Sequence, residues 1–241
     1  MNFSQQRATL FCQMERVAKR DSPKAKRGTP PAREPRVRLD VERRRGQLVE
    51  LGLQHFGERA YDDVSIDAIA EAAGISKGLL YHYFPTKRAY YAATVREAAG
   101  RLVASTDTGD GAAPLERLHA GLDAYLAYVK AHARAYATLM RSGVGVDPEI
   151  ARIVDETRAK FVDRLTSGFA VSEATGFLDA PLVRLTLRGW VGFAEAASLG
   201  WVETVSTDGS AAPSQDEVRE LLASALMEIV RSAMRALASR T

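Results

Sequence analysis

The fold is decided by residues 65–87, which read SIDAIAEAAGISKGLLYHYFPTK. Ser65 is a candidate N-cap, because its hydroxyl can accept a hydrogen bond from a free backbone N–H two or three residues further on. Gly74 is the residue type that tolerates the left-handed conformation after a helix end. Ser76 then caps a second short helix, which Pro85 stops because proline cannot continue the hydrogen-bond ladder. Two short helices joined by an Ala-Gly turn predict a helix-turn-helix.

Helices are also predicted on both sides of this motif. The spacing of apolar residues predicts a helix over about 40–58 before it and another from about Thr86 to Val103 after it. No strand pattern competes, so the predicted fold class is all-α: an N-terminal three-helix helix-turn-helix domain joined to a larger helical domain. The helices of the larger domain are expected over about 115–140, from Asp147-Pro148, from Asp179-Ala180-Pro181 to about Val202, and after Ser214.

Charge is distributed unevenly along the 241 residues. The formal net charge is +3, yet residues 1–45 hold 13 Lys and Arg against 5 Asp and Glu, a net of +8. Such asymmetry indicates that the N-terminal part meets a polyanion. We expect residues 1–37 to be a basic, disordered extension, either a flexible arm on phosphates or a dispensable segment. The DNA-binding domain is expected over 38–103 and an effector-binding and dimerisation domain over 104–241.

Composition excludes several protein classes. A chain with 46% hydrophobic and 26% charged residues is neither collagen-like nor wholly disordered. The single cysteine, Cys12, cannot form an internal disulfide. No apolar run reaches the length of a membrane helix, since even the stretch from Trp190 to Trp201 contains Glu195. The sequence therefore predicts a cytoplasmic protein without a membrane partner.

No catalytic or metal-binding constellation is present in the sequence. His119 and Asp123 stand four residues apart on a predicted helix but have no obvious third ligand. Residues 143–145 read GVG and lack the third glycine and the preceding strand of a dinucleotide loop. The sequence predicts no enzyme activity, no cofactor and no metal. The alternative is a helical small-molecule-binding protein or enzyme whose helix-turn-helix is vestigial, and another is an architectural DNA binder indifferent to sequence.

Residues 65–87 resemble the N-terminal DNA-binding domain of the tetracycline-repressor (TetR) family of transcriptional regulators. The match also takes in Phe56, Tyr61 and Val64, so it covers about residues 40–95. The resemblance implies a ligand-responsive regulator, most often a repressor, that binds a palindromic operator of double-stranded DNA as a homodimer. A small-molecule effector would then change the separation of the two DNA-reading heads. One departure is Ala60, where the family usually carries glycine.

The predicted DNA contacts lie on and around the second helix of the motif. A recognition helix in the major groove needs hydrogen-bond donors, small residues for close approach and apolar contacts for thymine methyl groups. The resemblance implies phosphate contacts for Tyr83 and Lys87, and Ser65 stands where the family usually has threonine. The residues expected to bind DNA are Arg44, Ser65, Ser76, Lys77, Gly78, Leu79, Tyr81, His82, Tyr83 and Lys87.

The larger domain is expected to hold the effector. Its candidates are aromatic, polarizable or polar-tipped residues, which also serve as ordinary core residues, and their abundance suggests a hydrophobic effector such as a lipid, an acyl thioester or a drug-like aromatic. The predicted ligand-binding residues are Tyr125, Tyr128, His132, Tyr136, Met140, Phe161, Trp190 and Phe193.

The last two helices carry more apolar surface than one face of a monomer needs. In the resembled family the last two long helices of each subunit form a four-helix dimer interface, and this pair fits that arrangement; the alternative is an interior helix pair in a monomer. The residues expected at the interface are Gly189, Ala197, Val218, Leu222, Ala225 and Ile229.

Overall fold

The computed structural model describes residues 35–109, 113–140, 147–169, 181–208 and 211–239. These ranges are helical and contain no strand, which confirms the predicted all-α class. Residues 1–34 of the predicted basic extension lie outside the described residues. The packing reported below belongs to the unit Asp40–Thr241. The boundary expected between residues 103 and 104 stays a prediction.

The helices of the described ranges follow one another in a single order along the chain. In order they are α1 (Pro35–Glu58), α2 (Ile66–Ala72), α3 (Lys77–Tyr83), α4 (Lys87–Ser105), α5 (Pro114–Ala131), α6 (Ala133–Thr138), α7 (Pro148–Phe169), α8 (Pro181–Asp208) and α9 (Gln215–Ala238).

The helix expected over 115–140 is divided in two at His132. This residue leaves the helical conformation, with φ −118° and ψ 28°, and its imidazole Nδ1 lies 2.9 Å from the Tyr128 carbonyl oxygen. The imidazole also stacks on the Tyr128 ring with 4.2 Å between centroids. The side chain thus engages the last turn of α5, and α6 begins after this residue at Ala133. The break makes the prediction of one long helix wrong.

Two other helices extend beyond their predicted bounds. α1 starts at Pro35, a residue type that is tolerated in a first turn because no intrahelical N–H bond is required there. α8 runs on to Asp208 instead of ending near Val202, and hydroxyl groups in its last turns bond back to helix carbonyls. Ser206 Oγ donates to the Val202 oxygen at 2.7 Å, and Thr204 Oγ1 to the Gly200 oxygen at 2.9 Å.

The N-terminal head, formed by α1, α2, α3 and the first half of α4, has its own apolar core. Leu48, Ile69, Leu80 and Tyr90 are fully buried in it. α1 and α4 approach closely at Gly52, where an added Cβ would lie 2.4 Å from Thr94 Oγ1. A side chain at that position would push apart the two helices that connect the head to the rest of the molecule.

The larger helical body is built from the second half of α4 and from α5 to α9. Its core includes Leu126, Leu187 and Leu222, all fully buried. The Trp190 indole N–H donates to the Leu222 carbonyl oxygen at 3.0 Å and so joins α8 to α9. No helix in the described ranges is both long enough and apolar enough to span a membrane.

Candidate DNA-binding and effector sites

Side-chain caps fix the two helices of the helix-turn-helix. Ser65 Oγ accepts from the Ala68 N–H at 3.3 Å, and Ser76 Oγ accepts from the Leu79 N–H at 3.1 Å. Between them Gly74 adopts φ 64°, the left-handed conformation that favours glycine. Before the motif, the Asp63 N–H donates to the Ala60 carbonyl at 3.0 Å, so a turn is closed at the residue that departs from the family pattern.

The solvent-exposed surface of α3 carries both polar and apolar side chains. Leu80 and the following Phe84 point into the head, whereas Leu79 is 40% exposed. Tyr81 and Tyr83 are half-buried at the edges of the helix. The remaining predicted contact residues of this segment, all exposed, are Ser76, Lys77, Gly78 and His82. The structure therefore brings these residues together on one accessible surface.

Two lysines near this surface are held by protein atoms. Lys77 Nζ lies 2.9 Å from Asp67 Oδ2, and this hydrogen bond raises the pKa of the ammonium group. Lys87 Nζ donates to the Asp62 carbonyl at 3.1 Å and lies 4.7 Å from the centre of the Tyr61 ring. The carbonyl and the ring fix the position of Lys87 without cancelling its charge. Sequence reasoning did not find these partners, because they depend on how the loop and helices meet.

Arg44 is exposed on α1. Its neighbour Arg45 instead places its guanidinium 5.0 Å from the centre of the Phe84 ring. The first helix therefore presents Arg44 to solvent on the head, while Arg45 stabilises the end of α3.

The larger body contains a cavity of about 840 Å³. Its wall is mainly apolar and comes from α4, α5, α6, α7 and α8, with α1 contributing Leu53 and Phe56 of the head. Seven of the eight predicted ligand residues line it: Tyr125, Tyr128, His132, Tyr136, Met140, Phe161 and Trp190.

Phe193 does not line the cavity, and this corrects the prediction. It is 39% exposed, whereas Trp190 and Ala194 of the same helix are buried. Phe193 is separated from the inward stripe of α8 by the helical rotation of about 100° per residue. The apolar side chain of Phe193 made it a candidate for ligand binding. At this position, however, both the inward and the outward sides of α8 carry apolar residues, so apolar character alone does not identify the side that lines the cavity.

A polar network interrupts the apolar wall. The Tyr125 and Tyr136 hydroxyl oxygens lie 2.9 Å apart, and the Tyr136 hydroxyl donates to the Glu195 carbonyl at 3.4 Å. Burial raises the pKa of both phenols above the ordinary value, so they are neutral hydrogen-bonding groups. The Glu195 carboxylate binds Arg158, with Oε2 2.7 Å from Nη2, and these hydrogen bonds raise the pKa of Arg158. Among the described residues, no group of three acidic, His or Cys side chains is placed to hold a metal ion.

The predicted dimer residues divide into buried and accessible sets. Val218 and Leu222 are 5% and 0% exposed inside the protomer, so the prediction is corrected for these two: the apolar stripe of α9 packs on the chain's own core. Ala197, Ala225 and Ile229 are half-buried against that core, and Gly189 is exposed. The uncharged outward stripe of α8, which we call the α8 stripe, consists of Leu185, Gly189, Gly192, Phe193, Ala196 and Gly200.

Two family models match the chain. One, described as "Bacterial regulatory proteins, tetR family", matches residues 48–99. The other, described as "Tetracyclin repressor-like, C-terminal domain", matches residues 114–229.

Individual proteins of known sequence or structure are also similar. The HTH-type transcriptional repressor KstR2 of Mycobacterium tuberculosis is 31% identical over 165 residues, which cover 65% of this chain and 82% of that protein. The HTH-type transcriptional activator FasR of Mycolicibacterium smegmatis is 26% identical over 170 residues, 68% of this chain and 75% of that protein. A crystal structure of a tetR-family transcriptional regulator from Streptomyces coelicolor superposes with a TM-score of 0.65 at 30% identity, covering 83% of this chain and 84% of that one.

Proposed function

This chain belongs to the TetR family of ligand-responsive, DNA-binding transcriptional regulators, and we propose that it is a homodimeric repressor released from a palindromic operator by an apolar effector. The observation that carries the proposal is the coexistence, in one compact unit, of a capped and solvent-facing α3 with a large apolar cavity whose wall includes α1 of the head. DNA recognition and effector binding then share a structural element.

The exposed face of α3 supports binding in the major groove. Lys77 and Gly78 permit close approach, and Leu79 offers an apolar contact for thymine methyl groups. Tyr81 and His82 supply hydrogen bonds to base edges or phosphates. We assign contacts with the DNA backbone, which position the head, to Arg44, Ser65, Ser76, Tyr83 and Lys87.

The α8 stripe supports the homodimer. It exposes Leu185 at 67% and Phe193 at 39%, with small residues between them that permit close approach of a second helix. Leu221 of α9 adds a further exposed leucine, at 54%. A two-fold axis through such a face would set the two α3 helices in successive major grooves, about 34–36 Å apart.

The assignments of repression, of a non-enzymatic role and of a cytoplasmic location are based on the similar proteins. KstR2 is described as a repressor and FasR as an activator, and we assign repression because the sequence identity is higher with KstR2, 31% against 26%. These relatives are regulators, which supports a non-enzymatic, cytoplasmic role. Within the chain we assign DNA binding to residues 38–103 and effector binding with dimerisation to 104–241, with residues 1–37 as the basic extension.

The deciding experiment measures binding to the DNA that flanks the protein's own gene. Fluorescence anisotropy should show tight binding to this duplex and much weaker binding to a scrambled duplex of equal length, at a stated salt concentration. An organic extract of the host cells should release the specific complex. Equal affinity for both duplexes would identify an architectural DNA binder, and no binding to either would identify a vestigial helix-turn-helix; both results contradict the proposal.

A further inference from the structure

Two arginines from different helices line the same end of the cavity. Arg117 of α5 donates from Nη2 to the Gly168 carbonyl at 3.1 Å. Arg164 of α7 donates from Nη1 to the Val103 carbonyl at 2.8 Å and to Thr106 Oγ1. Carbonyl and hydroxyl oxygens carry no net charge, so these contacts fix the two guanidinium groups without neutralising them.

Among the described residues that line this end, one carboxylate faces the two cations. Asp107 Oδ2 lies 3.9 Å from Arg164 Nη2, and the Asp107 side chain is 70% exposed. An ion pair at that distance and exposure contributes little. α5 also begins here, at Pro114, but the partial positive charge of its start is met by Glu116, whose carboxylate accepts from the Ala113 N–H and which does not line the cavity. The surplus of positive charge among the described lining residues at this end therefore comes from the two arginines.

Away from the two arginines, the part of the wall that α7 contributes is mainly apolar. α7 runs along the cavity from Arg164 through Phe161 and Val154 to Ile153, all of which line the wall. At 1.5 Å per residue the distance from Arg164 to Ile153 is about 16 Å. Leu122 of α5 adds apolar surface beside this path.

We propose that this end of the cavity binds the carboxylate of an elongated, single-chain apolar ligand, with Arg117 and Arg164 as the carboxylate-binding residues and the chain lying along α7 towards Ile153. The planar guanidinium fork matches a carboxylate in two-point geometry. The inference rests on the proposed function, because it specifies the chemistry of the effector that the cavity would hold.

The test compares two probes that differ only in the head group, dodecanoate and dodecanol, by displacement of a fluorescent fatty acid from the full-length protein. The native protein should bind dodecanoate about tenfold more tightly than dodecanol, since hydrogen bonds to a charged group are the stronger kind. Arg164→Gln and, separately, Arg117→Gln should bring this ratio close to one while leaving dodecanol affinity nearly unchanged.

The matched control is Arg152→Gln, on the same helix as Arg164. Arg152 is exposed and pairs with Glu156 outside the cavity wall, so its replacement should leave the ratio unchanged. If Arg164→Gln does not fold, Arg117→Gln carries the test. This is possible because the ratio of dodecanoate to dodecanol affinity is measured separately for each variant. Equal affinities in the native protein, absence of binding by both probes, or a preference that survives in a folded variant would overturn the proposal.

Operator release is measured in parallel and separates this inference from the proposed function. An arginine-dependent preference for dodecanoate without release of DNA by any cell extract would retain the ligand chemistry and contradict the regulatory proposal. Release by the extract without the preference would retain the regulator and overturn the assignment of Arg117 and Arg164.

Discussion

Arg101 of α4 binds Glu50 of α1, with Nη2 2.5 Å from Oε2. Its Nε donates to Oε1 of Glu97 in the same helix at 2.9 Å. The hydrogen bond from Arg101 lowers the pKa of Glu50. Arg101 and Glu50 both line the cavity. An ion pair thus connects the head to α4 at the wall where an effector would lie.

We expect Glu50→Gln to reduce the effect of the effector on DNA binding. Both side chains are about half exposed, so the change should cost less than about 1 kcal/mol of unfolding free energy. It removes a direct link between the cavity wall and the head, however, and should lower the effector-induced change in operator affinity by about threefold or more, within the range of ordinary coupling energies. The measurement is operator anisotropy with and without the releasing cell extract.

The control for this prediction is Glu97→Gln. It removes the other carboxylate partner of Arg101 but leaves the contact between α1 and α4. An equal loss of coupling in the two variants would mean that the bond from Arg101 to the head is not what carries the coupling.

Asp67→Asn should increase operator affinity, by about twofold to tenfold. In the free protein the Asp67 carboxylate forms an ion pair with the Lys77 ammonium. DNA must displace this carboxylate before the lysine can contact the groove. Glu71→Gln is the matched control, because it removes one exposed negative charge from the same helix without releasing Lys77. An equal gain in both variants would attribute the effect to reduced repulsion of phosphates alone. The assay is anisotropy at fixed salt.

Lys87→Ala should weaken binding to specific and scrambled duplexes alike and reduce the slope of log K against log salt by about one. The ammonium is already positioned by the Asp62 carbonyl and the Tyr61 ring, so little ordering is required when a phosphate binds. Arg88→Ala is the comparison, since Arg88 is engaged by Asp147 and its removal should change the slope less. A salt slope that is unchanged in Lys87→Ala contradicts the assignment.

The sequence-based predictions were accurate where a feature depends on residues close together in the chain, and less accurate where it depends on how helices pack against each other. Caps at Ser65 and Ser76 and the left-handed Gly74 were predictable, because each depends on residues within one turn. The pairing of Lys77 with Asp67 was not, because it requires the relative placement of two helices. Periodicity also identified the buried stripe of α9 without showing which helices cover it, which is why Val218 and Leu222 were wrongly expected at a dimer interface. The break at His132 depends on a contact between a side chain and a carbonyl that apolar spacing does not encode.

Glu217 at the start of α9 should make stability depend on acid pH. Its carboxylate accepts from the Ser214 N–H at 2.7 Å, and this bond together with the Ser214 hydroxyl lowers the pKa of Glu217 below its ordinary value. A lowered folded pKa stabilises the fold above the unfolded pKa, and that contribution is lost as the pH falls through the folded value. Native protein should therefore exceed Glu217→Gln in Tm at pH 7, with the difference shrinking as the pH falls below about 4.3, the ordinary pKa of glutamate, and through the lower folded value. Glu71→Gln, at an exposed position of α2 and away from the start of α9, is the control for the loss of one exposed carboxylate.

Phe193→Glu should convert the proposed homodimer to a monomer without unfolding it. The side chain is 39% exposed in the single chain, so glutamate is tolerated there, but two copies would face each other as unpaired charges across a two-fold axis. Leu115→Glu is the matched control, because Leu115 is 53% exposed at the start of α5, outside the α8 stripe. Light scattering after size-exclusion chromatography should give twice the 26.3 kDa chain mass for the native protein and the Leu115 variant, and the single-chain mass for Phe193→Glu. A dimeric Phe193→Glu variant would place the interface elsewhere, and a native monomer would remove the basis for binding a palindrome through two α3 helices.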